Sequence, residues 1–169
     1  MIDRLPKLFS VLTILVSSVG CDQITKRVAA SSLKGSQPIS FLGNIFRLEY
    51  AENPGAFLSL GAGLTPGQRF WLLTVMVAIF LVSLLIYLVR STTSRIQLAG
   101  LSLILGGGVS NLLDRMFREQ GRVIDFMNLG IGELRTGIFN VADVLIMVGI
   151  FLLLVLHRAQ RQPHESPSK

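Results

Sequence analysis

Cysteine and histidine are nearly missing from this chain of 169 residues. It has one cysteine, Cys21, and two histidines, His157 and His164, both close to the C-terminal end. A single cysteine excludes an intramolecular disulfide. Two histidines in the tail leave none for a Ser/His/Asp arrangement or for a clustered metal site. Several enzyme classes are therefore excluded, and we expect neither a metal nor another cofactor.

Charge is also scarce. Only 15% of the residues are charged, whereas an average soluble domain has about 25%, and half of the chain is hydrophobic. Crossing a bilayer takes about 20 apolar residues. Three stretches of about this length carry no charge apart from Asp143 in the last, and a fourth is shorter: Phe70–Val89, Ile96–Leu113, Thr136–Leu156 and Leu8–Cys21. The pattern predicts a polytopic membrane protein with a single domain.

The net charge of +6 would favour a nucleic-acid partner in a soluble protein. Here the lysines and arginines cluster at helix ends, where they meet lipid headgroups, so we expect membrane lipid and no nucleic acid. With both termini on one side, that side has seven Lys and Arg residues and the other has nine. Counting positive charges therefore does not decide the orientation.

The apolar stretches predict a four-helix bundle with all-α membrane architecture. We place the transmembrane helices at about residues 8–29, 66–90, 95–115 and 137–157, followed by a polar tail at 158–169 that we expect to be disordered. Thr65 is the expected N-cap of the second helix, with Pro66 in its first turn. The uncharged part of the first helix covers only about 21 Å. That helix must therefore carry Asp22 at or just inside the far interface.

Residues 1–21 have a second interpretation, a cleaved export signal. Ser18-Val19-Gly20-Cys21 loosely resembles a lipoprotein cleavage box. Such boxes usually carry Leu where this chain has Ser18, and Asp22, Lys26 and Arg27 continue a helical spacing beyond Cys21. These features favour an uncleaved transmembrane helix.

Two segments between the helices differ from them in pattern. Within residues 36–62, alternating apolar and polar residues flank Gly43-Asn44, which predicts a β-hairpin on the membrane surface. Residues 116–135 form a charged connection around the apolar patch Val123–Met127. We expect this patch to re-enter the membrane or lie on it, with Asp125 at low polarity; an ordinary surface-loop carboxylate is the alternative.

The third helix has an unusual Gly106-Gly107-Gly108 centre. Ser102, Gly106 and Ser110 recur every four residues, a spacing that lets helix backbones approach closely in lipid. Gly107, Asn111 and Asp114 lie on one face, which brings Asn111 and Asp114 to one end of the helix. The alternative is a simple polar helix end.

Polar side chains from distant segments should meet at one end of the bundle. An even number of helices brings residues 22–62 and 114–143 to the same side, and Asn140 and Asp143 should share a helical face. The residues expected to gather there are Asp22, Asn53, Asn111, Asp114, Arg115, Asp125, Asn140 and Asp143.

Asp143 costs roughly 2.5–3.5 kcal/mol at the centre of a bilayer, which makes it a candidate functional residue. If Asp125 approaches Asp143, the two carboxylates share a proton, and one acts as a base on water while the other acts as an acid. This is aspartic peptidase chemistry, with a pairing of Asp114 and Arg115 helping to position the dyad. Proton relay in a small carrier, or a non-enzymatic scaffold, would also fit intramembrane carboxylates. Against a carrier, the helices show no internal repeat and the acids crowd one end.

Five sequence blocks, in order along most of the chain, resemble the bacterial lipoprotein signal peptidases, the type II signal peptidases. The blocks are Asp22-Gln23-Ile24-Thr25-Lys26, Asn53-Pro54-Gly55-Ala56-Phe57, Gly106–Arg115, Val123-Ile124-Asp125-Phe126 and Phe139-Asn140-Val141-Ala142-Asp143. The resemblance implies an intramembrane aspartic endopeptidase with Asp125 and Asp143 as its catalytic pair. It implies supporting roles for the family's other characteristic positions, which here are Asp22, Lys26, Asn53, Gly55, Asn111, Asp114, Arg115, Asn140 and Ala142.

The resemblance also implies a substrate and a location. The family cuts prolipoproteins before a diacylglyceryl-modified cysteine, in the bacterial inner membrane, and it is the target of globomycin. Both termini would be cytoplasmic and the site would lie near the periplasmic face. We expect a monomer, and a surface sheet whose aromatic residues, Phe41, Phe46, Tyr50 and Phe57, hold the extended peptide.

Two positions depart from the family pattern. Ser110 stands where the family usually has Gly, and Gly137 where it usually has Pro. Both positions look structural, so we expect them to affect local packing more than activity.

Overall fold

Four helices in the computed structural model are long and apolar enough to cross a membrane, and the structure describes residues 4–56 and 60–161. The helices are α1 (Arg4–Leu33), α2 (Pro66–Arg90), α3 (Arg95–Phe117) and α4 (Val141–Arg161). The predicted fold class, a four-helix membrane bundle with a small sheet, is confirmed. Phe57 and residues 162–169 of the tail lie outside the described residues.

The helix ends follow local capping chemistry. At the start of α2, Thr65 is the N-cap and forms a reciprocal capping box with Gln68, as Pro66 in the first turn had led us to expect. Ser94 caps α3 in the same way. Within α2, residues Phe70–Met76 are π-helical. Such wide turns often occur next to functional sites.

The first and last helices differ from their predicted bounds. Helix α1 is longer than the predicted residues 8–29, since it begins at Arg4 and ends at Leu33. Helix α4 begins at Val141 rather than at 137, since the backbone of Phe139 is held extended by two hydrogen bonds to Met127. It ends at Arg161, so the predicted tail begins in helix.

A four-stranded antiparallel sheet covers one end of the bundle. Its strands are β1 (Ile39–Phe41), β2 (Phe46–Asn53), β3 (Val123–Ile131) and β4 (Leu134–Arg135), in that spatial order. The predicted hairpin over Gly43-Asn44 is confirmed, and both turn residues have positive φ. The interpretation of residues 116–135 as a connection is wrong, because β3 is a central strand that pairs with β2 up to Leu129 and with β4 beyond it.

Three consecutive glycines of α3 let this helix touch each of the other three. A Cβ atom on Gly106 would lie 2.6 Å from Ser18 of α1, one on Gly107 would lie 2.5 Å from the carbonyl oxygen of Ala142 in α4, and one on Gly108 would lie 2.6 Å from Leu81 of α2. At Gly107 the neighbour is backbone, so a side chain there would force the two helices apart, whereas at Gly108 the flexible Leu81 side chain would have to move. Helix α3 is therefore the centre of the bundle.

Two apolar clusters hold the parts together. One lies within the bundle and includes Val11, Leu81, Leu88 and Leu105. The other joins the end of α1 to the sheet and includes Leu33, Ile124 and Phe126. The second cluster fixes β3, and with it Asp125, against α1.

Candidate active site

Asp125 lies on β3 and is only 1% exposed. The side-chain amide of Asn53, at the end of β2, donates to one oxygen at 2.8 Å. The amide of Asn140 donates to the other at 2.6 Å. Residues 123–126 are all buried, since β2 pairs along one edge, the backbone of Phe139 bonds to Phe126 on the other, and α1 packs beneath. Asp125 is therefore a buried carboxylate on a rigid strand, and the surface-loop alternative is wrong.

Asp143 occupies the first turn of α4 and is 7% exposed. Periodicity predicts that Asn140 shares a helical face with Asp143, and this is wrong. Asn140 lies just before the first residue of the helix. Its side-chain oxygen accepts the backbone N–H of Asp143 at 3.0 Å, and its own backbone N–H donates to the Asp143 carboxylate at 3.2 Å. This reciprocal pair is a capping interaction, and it fixes the Asp143 side chain at the helix start.

Asn140 thus touches both carboxylates. Its amide nitrogen binds Asp125, and its backbone N–H and side-chain oxygen bind Asp143. Asn111 of α3 donates to the second oxygen of Asp143 at 3.0 Å and accepts from Asn140 at 3.2 Å. The two amides therefore bring together, at one buried point, acids that are 18 residues apart in the sequence.

Burial raises the pKa of Asp125 to about 7. Hydrogen bonds from Asn53 and Asn140 oppose this shift, and the nearby charge of Asp143 adds to it. At neutral pH Asp125 is therefore protonated in a large fraction of molecules, as a carboxyl group that acts as an acid requires.

Lys26 of α1 is completely buried beneath these groups. Its ammonium group contacts Asp22 at 2.7 Å, Asp114 at 2.8 Å and the side-chain oxygen of Asn111 at 2.7 Å. All three of its N–H donors are thereby used. A single residue, Asn111, connects Lys26 to the acid pair, because it hydrogen-bonds to both Lys26 and Asp143.

Asp22 connects α1 to the start of α4. One of its oxygens accepts the backbone N–H of Ala142 at 2.8 Å, and the other accepts the hydroxyl of Ser110 at 2.8 Å. Ala142 is fully buried, and its carbonyl oxygen lies close to Gly107 of α3. Ser110, one of the two departures from the family pattern, therefore contributes a hydrogen bond to the site.

Arg115 does not pair with Asp114, and that prediction is wrong. Adjacent helical residues point in directions about 100° apart. Asp114 instead faces Lys26 and Arg118, at 2.8 Å each. Arg115 donates to the carbonyl oxygens of Gly55 and Gly121. It holds the loop after β2, where the side-chain oxygen of Asn53 accepts the N–H of Gly55 at 2.8 Å.

Two further residues belong to this network and were not singled out as site residues. Gln23 donates to Ser110 and to Asp114, and Arg118 pairs with Asp114. The spacing of Arg118 four residues after Asp114 was a usable signal. For Gln23 the sequence has no comparable signal, because its partners are 87 and 91 residues away.

All the predicted site residues thus lie in one connected network. Among the residues that the structure describes, no three His, Cys, Asp or Glu side chains are grouped to hold a metal ion. Fold and site together define a multi-pass membrane protein with two buried carboxylates, joined by an asparagine, at one end of its helix bundle.

Comparison with known proteins identifies the family. Residues 14–158 match the family described as signal peptidase (SPase) II, so the chain belongs to the signal peptidase II family and is a multi-pass bacterial membrane protein. This membership does not favour the carrier that intramembrane carboxylates would also allow.

Several relatives are named lipoprotein signal peptidase. The protein from Leifsonia xyli is 38% identical over 80% of this chain and 61% of its own length. The one from Rhodococcus jostii is 38% identical over 80% of this chain and 65% of its own length. The chain thus spans less than two thirds of these two relatives. The protein from Pelodictyon phaeoclathratiforme is 33% identical over 96% of both chains.

Two solved structures of bacterial membrane enzymes share the fold. One superposes with a TM-score of 0.77 at 24% identity and covers 95% of this chain and 94% of its own. The other has a TM-score of 0.74 at 23% identity and covers 88% of this chain and 92% of its own. Both likenesses concern the arrangement of helices and sheet.

Proposed function

We propose that this protein is an aspartic endopeptidase that removes signal peptides from diacylglyceryl-modified prolipoproteins, with Asp125 and Asp143 as the catalytic pair. The observation that carries the proposal is the contact of Asn140 with both carboxylates in a chain of the signal peptidase II family. The pair lies where α4 meets the sheet, so a peptide bond near the membrane interface can reach it.

The proposed mechanism divides the acid and base roles between the two carboxylates. Asp125, with its pKa raised by burial to about 7, carries the shared proton and donates it to the carbonyl oxygen of the scissile bond. Asp143, held by Asn111 and by the backbone of Asn140, is the base that takes a proton from the attacking water. The C–N bond of the resulting tetrahedral intermediate then breaks as Asp143 passes its proton to the leaving amine. Asp125 takes back a proton from a hydroxyl of the intermediate, and the signal peptide keeps a free carboxylic acid.

The supporting residues have positioning roles in this proposal. Lys26, Asp22 and Asp114 form the charged base on which Asn111 and Ala142 rest. Arg115, Asn53 and Gly55 hold the loop that borders Asp125. None of these residues needs to touch the reacting atoms.

A cleavage assay tests the proposal. Purified protein is incubated with a prolipoprotein that carries diacylglyceryl on its cysteine, and with the same prolipoprotein without the lipid. The parent should cut only the lipidated form, and Asp125→Asn and Asp143→Asn should each lose cleavage. Glu133→Gln, which removes an exposed carboxylate from the β3–β4 turn, is the matched control and should cut normally.

Each failure has a distinct meaning. Cleavage that persists in either Asn variant would overturn the catalytic pair but not the substrate. Failure of the parent on verified lipidated substrate would overturn the peptidase function itself.

We further propose that the sheet holds the signal peptide in an extended form. Strand β1 is an edge strand with exposed residues, and the Phe41 and Phe46 rings lie 6.1 Å apart. Tyr50 instead packs against the apolar cluster between α1 and the sheet. Of the aromatic residues predicted to hold the peptide, we therefore assign this role to Phe41 and Phe46. Photo-crosslinking of a bound signal peptide should label β1 and β2. Labelling confined to α2 would contradict binding of the peptide at the sheet.

The proposal also includes topology and assembly. The start of α1 and the end of α4 lie at the end of the bundle opposite the sheet, so cytoplasmic termini would place the acid pair near the periplasmic face. Four helices enclose the site within one chain, which favours a monomer.

Thr92 and Glu133 are exposed residues of connections at opposite ends of the bundle. Single cysteines at these positions, in a Cys21→Ser background, are treated with a membrane-impermeant thiol reagent on intact cells. Only position 133 should be modified.

A further inference from the structure

A cavity of about 330 Å³ opens between α1 and α2, at the end of the bundle far from the acid pair. Its walls are mostly apolar and include Leu5, Leu8, Val11 and Leu88. Leu5 is 80% exposed and Leu8 43% exposed, whereas Val11 and Leu88 are buried. The cavity is therefore a groove that is open on the side where a transmembrane helix faces lipid.

Two cations lie at the rim of this groove. Lys7 and Arg90 both line it, one from the start of α1 and one from the end of α2. Lys7 is only 7% exposed, which is rare for a lysine. Its ammonium group donates to the backbone carbonyl of Ser91, which fixes the side chain beside the groove and uses one of its three N–H donors.

The described residues around the groove and at the facing helix end carry charge of one sign. Residue ranges 4–12, 86–97 and 150–158 contain five Lys and Arg residues and no Asp or Glu. Basic pockets between transmembrane helices are a known kind of site for anionic lipid headgroups. An apolar groove lined by two cations is complementary to a phospholipid with a negatively charged headgroup, because the acyl chain matches the apolar wall and the phosphate matches the cations.

We propose that this groove binds one anionic phospholipid, with an acyl chain against Leu8 and Val11 and the phosphate between Lys7 and Arg90. Neither cation belongs to the acid-pair network, so this site is separate from the proposed peptidase function. Bound there, the lipid bridges α1 and α2 at the end that the sheet does not cover.

Native mass spectrometry of the full chain in detergent tests the site. The probes are phosphatidylglycerol and phosphatidylcholine with identical acyl chains, at equal concentrations. The parent should retain one phosphatidylglycerol in preference to phosphatidylcholine. Lys7→Gln and Arg90→Gln should each weaken phosphatidylglycerol binding by about fivefold. Arg158→Gln removes one positive charge from the same end without lining the groove, and it should bind as the parent does.

A second variant fills the groove rather than changing its charge. Leu8→Trp places a large ring where the acyl chain would lie, and it should lose the bound lipid while keeping every cation. Equal retention of the two lipids by the parent would overturn the proposal. So would a Lys7→Gln or Arg90→Gln variant that behaves like Arg158→Gln, or a Leu8→Trp variant with undiminished binding. If Lys7→Gln does not fold, Arg90→Gln and Leu8→Trp decide the question.

Discussion

Asn140 hydrogen-bonds to both members of the acid pair. Its side-chain amide binds Asp125, and its backbone N–H and side-chain oxygen bind Asp143. Replacing it with alanine removes both the bridge and the helix cap. The two carboxylates then lose their fixed separation, and a displacement of about 1 Å in such a site costs about 100-fold in rate. We expect Asn140→Ala to lower kcat for prolipoprotein cleavage by about this factor.

The control for Asn140 is Asn128→Ala. Asn128 is also a buried amide, but it contacts Thr136 and Arg135 in the sheet and neither acid. Its replacement should lower stability without a comparable loss in kcat. Equal losses in the two variants would show that any buried amide in this region has the same effect.

The raised pKa of Asp125 predicts a pH dependence of stability. An aspartate of ordinary pKa 3.8 that rises to about 7 binds its proton more tightly in the folded protein than in the unfolded chain. The folded state therefore holds more protons between these values, and its stability falls as the pH rises through this window, by at most about 1.4 kcal/mol per pH unit. Asp125→Asn removes this dependence.

Melting temperatures in detergent at pH 5 and pH 8 measure this effect. The Tm of Asp125→Asn relative to the parent should be higher at pH 8 than at pH 5. Glu133→Gln changes an exposed carboxylate and should show a constant difference. A constant difference for Asp125→Asn as well would contradict the shifted pKa.

At the scale of the elements, Gly107 fixes the distance between α3 and α4. A methyl group there would lie 2.5 Å from the Ala142 carbonyl oxygen and 2.8 Å from Ile146. Gly107→Ala must therefore push α4 away, at a cost of about 1–3 kcal/mol, and the same movement separates Asn111 from Asp143. We expect a lower Tm together with reduced cleavage.

Gly20→Ala is the matched control for this change. Gly20 is also a glycine within a transmembrane helix, but a methyl group there meets nothing within 4 Å. Alanine is the better helix former, so this variant should be as stable as the parent or more so. Loss of stability in Gly20→Ala as large as in Gly107→Ala would indicate a general intolerance of change in these helices.

The elements were predicted unequally well from the sequence. Charge-free stretches define the helices, because spanning a bilayer demands a length and an apolar composition that a local window contains. The β1–β2 hairpin is equally local, through Gly43-Asn44. Strand β3 was missed, since its partner residues in β2 are 70–83 positions away and its buried run around Asp125 lacks the alternation of a half-exposed strand. Missing β3 also concealed why Asp125 is buried.

At the scale of the whole molecule, the charged base around Lys26 joins α1 to α3. Lys26, Asp22 and Asp114 are at most 2% exposed, and each charge has an opposite charge within 3 Å. Removing one partner of a buried ion pair costs about 3–5 kcal/mol, because the other charge stays buried without compensation. We expect Lys26→Met to abolish the folded protein in detergent or to lower its Tm severely.

Arg27→Met tests whether this cost depends on burial. Arg27 is adjacent to Lys26 but exposed on α1, so its replacement should leave the yield of monodisperse protein nearly unchanged. A stable, active Lys26→Met protein would contradict the view that this cluster supports the site.

Which polar residues meet was predictable only in outline. An even number of helices brings their segments to one end, and Asp22, Asn53, Asn111 and Asn140 do lie together there. The individual pairings could not be predicted. Sequence proximity favours a pair between Asp114 and its neighbour Arg115, whereas Asp114 contacts Lys26, 88 residues earlier. Side-chain direction around a helix decides such pairs, and it depends on the packing of all four helices together.

The bond from Asp22 to the Ala142 backbone has a consequence for biosynthesis. Its two residues are 120 positions apart, so at roughly 5–20 residues per second the first helix is made about 6–24 s before its last partner. During that time Asp22 and Lys26, one helical turn apart, can neutralise each other within α1. This internal ion pair would lower the cost of holding the two charges in the membrane until the final helix completes the site.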